Sequence, residues 1–202
     1  ALTGGGRRPK PGEISLATGG ILFLDELPEF SRAALETLRQ PLEDREVTVS
    51  RVEATVTYPA NFQLVAAMNP CPCGHFPDLA RCRCTEGQIT RYLQKISGPL
   101  LDRIDLCVEA SPVTYGDIRG GGENEASGAI RARVEQAREI QKERFMEENI
   151  RCNGEMAGRH IRKYCVLGKE EETFMEEIFE KLALSARMHD RILKVARTTA
   201  DL

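Results

Sequence analysis

Two carboxylates follow a run of four apolar residues near the start of the chain. The run occupies residues 21–24, and Asp25 and Glu26 come next. Such a run is typical of a strand buried on both faces of a parallel sheet, and open α/β sheets bind ligands at the carboxyl ends of their strands. The pattern predicts a Walker B segment, in which Asp25 holds a magnesium ion and Glu26 polarises the water that attacks a γ-phosphate. A buried strand followed by a solvated acidic turn is the alternative.

A second polar group is expected at the same edge of the sheet. Residues 62–68 predict another buried strand, which ends on Asn69 and Pro70. If the two strands are parallel neighbours, the amide of Asn69 faces the same water or phosphate as Asp25 and Glu26. An Asn-Pro pair that merely begins a turn is the alternative.

Four cysteines come directly after this asparagine in two Cys-x-Cys pairs. They are Cys71, Cys73, Cys82 and Cys84. The eight residues between the pairs let the chain fold back and bring four thiolates around one tetrahedral zinc ion, with His75 as a substitute candidate. The spacing is tighter than in the usual Cys-x-x-Cys knuckle, so free thiols or a redox pair remain alternatives. Seven cysteines without a secretory signal favour metal binding or buried thiols over disulfides.

Two predicted loops carry local basic residues. Residues 46–58 contain two runs rich in Val and Thr, which predict a β-hairpin with Arg51 near its tip. Arg7, Arg8 and Lys10 lie in a glycine-rich loop that either reaches phosphates or is an exposed linker. The net charge of −3 gives no overall attraction to nucleic acid, so DNA binding would have to come from such local clusters.

Two further arginines have spacing that admits a functional role. Arg103 lies between Asp102 and Asp105, so it forms either a local arginine–carboxylate cluster or a contact with the nucleotide of a neighbouring subunit. Arg187 lies in the first turn of a predicted final helix that Ser185 caps. The helix dipole does not stabilise a cation there, which favours a surface or functional role for Arg187.

The first part of the chain is predicted to mix strands and helices. Weak alternation predicts a short strand over residues 13–17, and Ser31 is predicted to cap a leucine-rich helix that Pro41 kinks or ends. Residues 88–96 predict another helix, and a third apolar strand is predicted to end at Val108.

The character of the sequence changes near residues 120–122, which are all glycine. The strand signals then disappear, so we predict an α/β domain over residues 1–120 and a helical domain over residues 121–202. The predicted helices lie at 125–147, at 154–165, around a stripe of Phe174, Ile178 and Leu182, and after Ser185 with Met188, Ile192 and Val195 facing inward.

The composition is that of an ordinary globular protein, with 41% hydrophobic and 29% charged residues. The longest apolar runs are far shorter than the roughly 18 residues that a membrane span needs. No signal-like stretch opens the chain. We therefore expect a cytoplasmic protein that does not contact a membrane.

Several motifs in order resemble the magnesium-chelatase-like AAA+ family of the ComM type. They are residues 12–17 and 21–30, residues 69–74, residues 97–106, and residues 185–187 with 191–198. The resemblance covers nearly the whole chain. It implies an α/β fold with a partial AAA+ (P-loop NTPase) core that carries a β-hairpin insert, followed by an all-helical lid.

The resemblance also implies a role for each matched residue. Asp25 and Glu26 match the Walker B pair, Asn69 the sensor that orients the attacking water, Arg103 the arginine finger, and Arg187 the second sensor arginine, with Arg191 the weaker match. The cofactors implied are ATP and Mg²⁺, bound by Asp25, Asn69 and Arg187. The hairpin around Arg51 and the loop with Arg7, Arg8 and Lys10 resemble two inserts that face the pore of ring helicases.

The function implied is a ring-forming ATPase, hexameric in the parent protein, that couples ATP hydrolysis to DNA translocation or branch migration. The alternatives are a magnesium-chelatase-type ATPase subunit that remodels a partner protein, and a zinc-stabilised scaffold without catalysis. No Gly-x-x-x-x-Gly-Lys-Ser/Thr motif occurs in the 202 residues. We therefore expect a fragment that alone binds ATP weakly and hydrolyses almost none.

Overall fold

The computed structural model describes residues 2–6, 9–50, 54–111, 113, 115–120 and 125–202, with only the backbone at 117, 118 and 120. The chain divides into two compact units, Ala1–Leu106 and Cys107–Leu202. None of the described helices is both long enough and apolar enough to cross a membrane.

The first unit mixes short helices and strands. In chain order they are α1 (Glu13–Leu16), β1 (Ile21–Leu24), α2 (Arg32–Glu36), α3 (Arg39–Asp44), β2 (Glu46–Ser50), β3 (Thr55–Pro59), β4 (Gln63–Ala66), α4 (Glu86–Leu93) and α5 (Gly98–Leu101). The second unit is helical in its described part. Its helices are α6 (Tyr115–Gly120), α7 (Ser127–Arg144), α8 (Gly158–Tyr164), α9 (Lys169–Lys181) and α10 (Ala186–Asp201).

Strands β1 and β4 form a parallel pair, in register from Ile21 opposite Gln63 to Leu24 opposite Ala66. This confirms both predicted strands. Leu22 and Leu24 are buried, but Ile21 and Phe23 are 62% and 57% exposed. The prediction that β1 is buried on both faces is therefore wrong for the described residues, because their core lies on one side of this sheet.

One hydrophobic core supports the first unit. Its buried members are Ile14, Leu22, Leu24, Leu27, Leu35, Leu38, Val47, Ala60, Ile96 and Leu100. The short strand predicted over residues 13–17 is wrong. The segment forms α1 instead, because the backbone N–H groups of Ser15 and Leu16 bond to the carbonyl of Gly12, and this turn directs Ile14 into the core.

The third predicted strand is also wrong. The segment that ends at Val108 has no regular secondary structure after α5, and Leu106 and Val108 are 66% and 88% exposed. An apolar run becomes a strand only where a neighbouring strand pairs with its backbone groups. Among the described residues, the two-stranded sheets are β1 with β4 and β2 with β3.

The leucine-rich helix is divided into α2 and α3. The Ser31 hydroxyl accepts a hydrogen bond from the Ala34 N–H at 3.2 Å, as the predicted cap requires. Pro41 has no N–H to donate to the carbonyl of Thr37, and its ring crowds that carbonyl. The division between Glu36 and Arg39 confirms the predicted effect of Pro41.

Strands β2 and β3 form an antiparallel hairpin, with Glu46 opposite Pro59 and Ser50 opposite Thr55. The hydroxyls of Thr48 and Thr57 lie 3.0 Å apart across the strands. The predicted pairing of the two runs is therefore confirmed. That this hairpin is the family's insert stays a prediction, and its tip at residues 51–53 lies outside the described residues.

The second unit has its own core of Phe145, Met156, Ile161 and Leu193. The cap of α10 is confirmed, because the Ser185 hydroxyl accepts the Met188 N–H at 3.2 Å. Leu193 is the buried side chain of the apolar face of α10, whereas Met188, Ile192 and Val195, the predicted inward residues, are only partly buried.

Two of the three residues in the predicted apolar stripe on α9 are exposed. Phe174 and Leu182 are 64% and 66% exposed, whereas Ile178 is partly buried. Met175, one residue along the helix, packs against the core instead. The sequence shows the stripe correctly but does not show which side of the helix meets the core.

A buried polar network joins two helices of the second unit. The Arg144 guanidinium donates to the Asp201 carboxylate at 2.6 Å and to the Asn153 side-chain oxygen at 2.8 Å. The Asn153 side-chain NH₂ also donates to Asp201, at 2.8 Å. Burial by itself raises the pKa of Asp201, but the hydrogen bonds from Arg144 and Asn153 outweigh it and leave the pKa below its ordinary value. The network ties the end of α7 to the end of α10.

We predict that Asp201→Ala destabilises the second unit by about 3–5 kcal/mol, because it leaves the Arg144 charge buried without its partner. The exposed pair of Glu139 and Lys142 supplies the control, since Glu139→Ala should cost less than about 1 kcal/mol. Urea unfolding measures both. Equal costs for the two variants would contradict the prediction.

The same network gives a pH dependence. A carboxyl whose pKa is lowered by folding stabilises the fold above its unfolded pKa of about 4, and that contribution disappears as the pH falls through the folded value. The difference in unfolding free energy between the wild-type chain and Asp201→Ala should therefore shrink below about pH 4.

Candidate functional site at the edge of the parallel sheet

The parallel pairing of β1 with β4 continues past the ends of both strands. The Ala67 N–H donates to the Leu24 carbonyl at 2.9 Å, and the Leu27 N–H donates to the Ala67 carbonyl at 3.0 Å. Asp25 and Glu26 therefore emerge from the same sheet edge as Asn69. The three side chains are exposed there. The structure thus places the predicted catalytic residues Asp25, Glu26 and Asn69 on one edge, and their roles stay predictions.

The backbone turns sharply at Glu26. This residue has φ 50° and ψ 48°, in the left-handed region that costs a residue with a side chain roughly 1–2 kcal/mol. The turn is held by the Glu26 N–H, which donates to the Asp25 Oδ1 at 2.9 Å, and by the 3₁₀ helix Leu27–Glu29 that follows. Leu27 and Pro28 are buried beneath the turn. The two carboxylates are therefore presented on an anchored turn.

Tyr92 on α4 lies beneath this edge, and the sequence analysis missed it. The side chain is 7% exposed. Burial raises the pKa of the Tyr92 hydroxyl, a hydrogen bond from the Asn69 backbone opposes this, and the carboxylates of Glu29 and Glu26 raise the pKa further. Tyr92 therefore connects α4 to the segment that carries Asn69. Its spacing of four residues from the buried Ile96 was the signal that could have indicated its burial.

The four cysteines of the predicted zinc site come together. Their sulfur atoms all lie within 4.8 Å of one another, and Cys71 is fully buried. The Cys71 sulfur lies 3.4 Å from that of Cys73 and 3.8 Å from that of Cys82. Four sulfurs around zinc at about 2.3 Å would be roughly 3.8 Å apart, so this donor set fits the ion. His75, the substitute candidate, is not part of the described cluster.

Backbone N–H groups point at these sulfurs, as they do around metal-bound thiolates. The Phe76 N–H donates to the Cys71 sulfur at 3.4 Å. Hydrogen bonds from the backbone of Arg83 and His75 lower the pKa of Cys73 to about 6. Burial, followed by the neighbouring Cys73 side chain, raises the pKa of Cys84 to about 12. Without a cation the cluster therefore resists full deprotonation, and a divalent ion would supply the charge that four thiolates need.

The glycine-rich loop is closed and fastened to the hairpin. Gly5 and Lys10 form two backbone hydrogen bonds of 3.2 Å. The Tyr58 hydroxyl on β3 donates to the Pro9 carbonyl at 2.9 Å. Gly4 adopts φ +87°, and a Cβ there would lie 2.1 Å from the Lys10 carbonyl oxygen, so a larger residue would break the turn. Lys10 is exposed on this loop.

Three of the predicted nucleic-acid residues lie outside the described residues. They are Arg7, Arg8 and Arg51. Lys10 is therefore the one predicted DNA contact whose structure is described. The bond between Tyr58 and Pro9 shows that the basic loop and the hairpin are attached to each other at their bases.

Arg103 is held within its own unit. Its guanidinium pairs with the Glu43 carboxylate on α3 and donates to the Pro99 carbonyl at 2.6 Å. The side chain is 14% exposed. This carboxylate partner is 60 residues away in sequence and is not one of the two flanking acids on which the expected local cluster rested. Arg187 is exposed on the first turn of α10 in the second unit, one helical turn before Arg191.

Comparisons with known proteins give matches over both units. The family model described as magnesium chelatase, subunit ChlI, matches residues 1–118, and the one described as magnesium chelatase, subunit ChlI C-terminal, matches residues 124–202. The competence protein ComM of Haemophilus influenzae is 49% identical over the whole chain. The proteins named YifB of Salmonella typhimurium and Escherichia coli are 47% and 46% identical. The chain spans 39% of the length of each of these relatives.

We predict that Tyr58→Phe loosens the basic loop, because it removes the hydroxyl that holds Pro9. Exchange of the Lys10 amide should accelerate by about fivefold, corresponding to a lost hydrogen bond of about 1 kcal/mol. Tyr115→Phe is the control, since Tyr115 is 73% exposed in the other unit. Hydrogen exchange followed by mass spectrometry measures the effect. An unchanged Lys10 amide in Tyr58→Phe would show that the loop is closed without this bond.

Proposed function

The chain belongs to the family of magnesium chelatase subunit ChlI, and from this we propose that it is part of an AAA+ ATPase that forms a ring and moves along DNA. The family implies ATP and Mg²⁺ for the protein that carries the chain. The observation that carries the proposal is the parallel pairing of β1 with β4, because it brings two carboxylates and an amide to one sheet edge.

The residues at this edge divide the chemistry among them. A bound magnesium ion supplies positive charge that offsets the charge developing on the phosphates. The Asp25 Oδ1 accepts the Glu26 N–H, so Oδ2 is the atom that we assign to the metal or its water. Glu26, exposed on the anchored turn, is assigned to the attacking water, and the Asn69 amide orients that water or the γ-phosphate.

The arginines complete the site through assembly. We assign Arg103 to the nucleotide of a neighbouring subunit, which requires the guanidinium to exchange Glu43 for phosphate oxygens. The phosphates of a nucleotide are a stronger partner than the Glu43 carboxylate, which is 46% exposed, because they carry more negative charge. Arg187, with Arg191 as the weaker candidate, is assigned to the nucleotide from the helical unit.

Contact with DNA is assigned to the basic loop and the hairpin. Lys10 is exposed, and Tyr58 joins the loop to β3, so both elements would move together in a ring. Lysine and arginine side chains bind the phosphates of the DNA backbone with little sequence preference, and such binding weakens steeply with salt. One relative is named a competence protein, which supports a competence-related function. The hexameric ring rests on the family resemblance.

A magnesium-chelatase-type subunit that remodels a partner protein is the second candidate. The description of the matched family favours it, because it names the chelatase itself. The same edge of the sheet would then drive work on a protein, and hydrolysis would not respond to DNA. A scaffold without catalysis is the third candidate, and it leaves the exposed carboxylates of Asp25 and Glu26 without a purpose.

We also propose that the four cysteines hold one structural zinc ion. The proposal is supported by the distances between the sulfurs, the burial of Cys71 and the N–H groups directed at the cluster. All four positions are filled by thiols, so the ion has no open coordination site for catalysis.

We predict that Glu26→Gln, in the full-length protein that carries this chain, lowers ATP turnover at saturating ATP by about 100-fold, because the amide no longer accepts a proton from water. ATP binding should persist. Glu29→Gln is the matched control, since Glu29 makes a surface ion pair with Lys95 at 3.5 Å. Turnover is measured with and without single-stranded DNA at moderate salt.

Each outcome of this experiment selects one of the functions. Turnover that DNA stimulates and that Glu26→Gln abolishes supports the DNA motor. Turnover that ignores DNA but responds to an added protein partner favours the chelatase-type function. Turnover that is the same in Glu26→Gln and in the wild-type protein contradicts both and favours the scaffold.

We predict one zinc ion per chain in protein purified without chelator, and its loss in Cys82→Ser, because three thiolates and a hydroxyl bind zinc far less tightly. Cys107→Ser should keep the metal, since Cys107 lies outside the cluster and is exposed. Elemental analysis by mass spectrometry measures the content. Protein that contains no zinc would refute the site.

A further inference from the structure

The four-cysteine cluster lies directly after Asn69, and we infer that the metal bound there positions Asn69 for the site at the sheet edge. The inference rests on the proposed function, since it assigns the cysteines a task in that site. The metal-bound cluster would therefore position Asn69 and not only stabilise its own segment.

The turn that follows the first cysteine pair lies against Asn69. Cys71 is two residues beyond Asn69 and is fully buried. Gly74 donates its N–H to the Cys71 carbonyl at 3.0 Å and adopts φ +78°. A Cβ built at Gly74 would lie 3.8 Å from the Asn69 Cγ and 3.9 Å from its side-chain oxygen. The Asn69 side chain thus lies against the turn that presents Cys71 and Cys73.

The second cysteine pair leads into α4, the helix whose Tyr92 contacts the Asn69 backbone. Cys84 immediately precedes Thr85, the N-cap of α4. Thr85 and Gln88 cap this helix reciprocally, since the Thr85 N–H donates to Gln88 at 2.8 Å and the Gln88 N–H donates to Thr85 at 3.3 Å. Helix α4 carries the buried Tyr92, whose hydroxyl meets the Asn69 backbone.

One metal ion would therefore tie both supports together. It would link the end of β4, through Cys71 and Cys73, to the start of α4, through Cys82 and Cys84. The residues between the pairs form no helix or strand. Their turns are closed by backbone hydrogen bonds, such as those that the Arg81 and Cys82 N–H groups donate to the Asp78 carbonyl. Such a segment has little regular structure to hold its ends together, so a cross-link at the sulfurs fixes its shape.

The experiment compares amide hydrogen exchange in the full-length protein with and without the metal site. In Cys82→Ser, exchange of the peptide covering residues 67–76 should accelerate by about tenfold or more, because the segment loses its anchor. Cys152→Ser, an exposed cysteine of the other unit, is the control and should leave exchange and zinc content unchanged. Exchange that is equal in the zinc-loaded protein and in zinc-free Cys82→Ser overturns the inference, as does protein that binds no zinc.

Tyr92→Phe separates the two supports of Asn69. This variant keeps all four thiols, so zinc content should stay at one per chain, while exchange at Asn69 increases by about threefold because the hydroxyl contact is lost. Loss of zinc in Tyr92→Phe would show that Tyr92 supports the cysteine cluster, and would contradict its proposed role as a direct support of Asn69.

Kinetics distinguish this inference from the proposed function. If Asn69 orients water, Cys82→Ser lowers kcat and leaves the KM for ATP nearly unchanged, and Asn69→Ala does the same. Faster exchange in Cys82→Ser, combined with full activity in Asn69→Ala, supports the positioning and overturns the role of Asn69. Unchanged exchange, combined with an inactive Asn69→Ala, overturns the positioning and leaves the role of Asn69 standing.

Discussion

The parallel pairing of β1 with β4 is the constraint on which the candidate site depends. Its register, Ile21 with Gln63 through Leu24 with Ala66, fixes where each strand ends. The hydrogen bonds of Ala67 and Leu27 extend that register to the polar residues. Because side chains alternate along a strand, a slip of one residue would exchange the buried Leu22 and Leu24 for their exposed neighbours. The buried face therefore holds the two ends in place.

Two structures extend from this pair of strand ends. The turn at Glu26 is short and strained, and it exposes the two carboxylates that we propose hold a magnesium nucleotide. The segment after Asn69 is longer, and it returns to the same place through the cysteine cluster and α4. Tyr92 closes this return beneath Asn69. Residues that are distant in sequence thus lie close together at one edge of the sheet. The cysteine thiols are the part of this segment that a bound metal would cross-link.

Local signals predicted some of the elements and missed others, since the strands expected over residues 13–17 and before Val108 are not formed. The strand before Asp25, the cap at Ser31 and the break caused by Pro41 all follow from neighbours in sequence, and each was confirmed. The proximity of the four thiols also followed from spacing, because only eight residues separate the pairs. Partners from distant elements could not be predicted. Glu43 lies 60 residues from Arg103, and Asp201 lies 57 residues from Arg144. The burial of Phe23 and Phe174 could not be predicted for the same reason, since the exposure of each side chain depends on which elements pack against it.

The most direct test of the account is to map the metal in the nucleotide site by oxidative cleavage. Iron(II) replaces magnesium in the zinc-loaded, full-length protein with ATP, and ascorbate with peroxide cuts the backbone near the ion. The account predicts paired cuts at residues 25–27 and 67–70, both lost in Asp25→Asn, because these segments lie on adjacent strand ends. Cuts confined to one segment, or cuts that persist in Asp25→Asn, would contradict the assignment of this sheet edge as the nucleotide site.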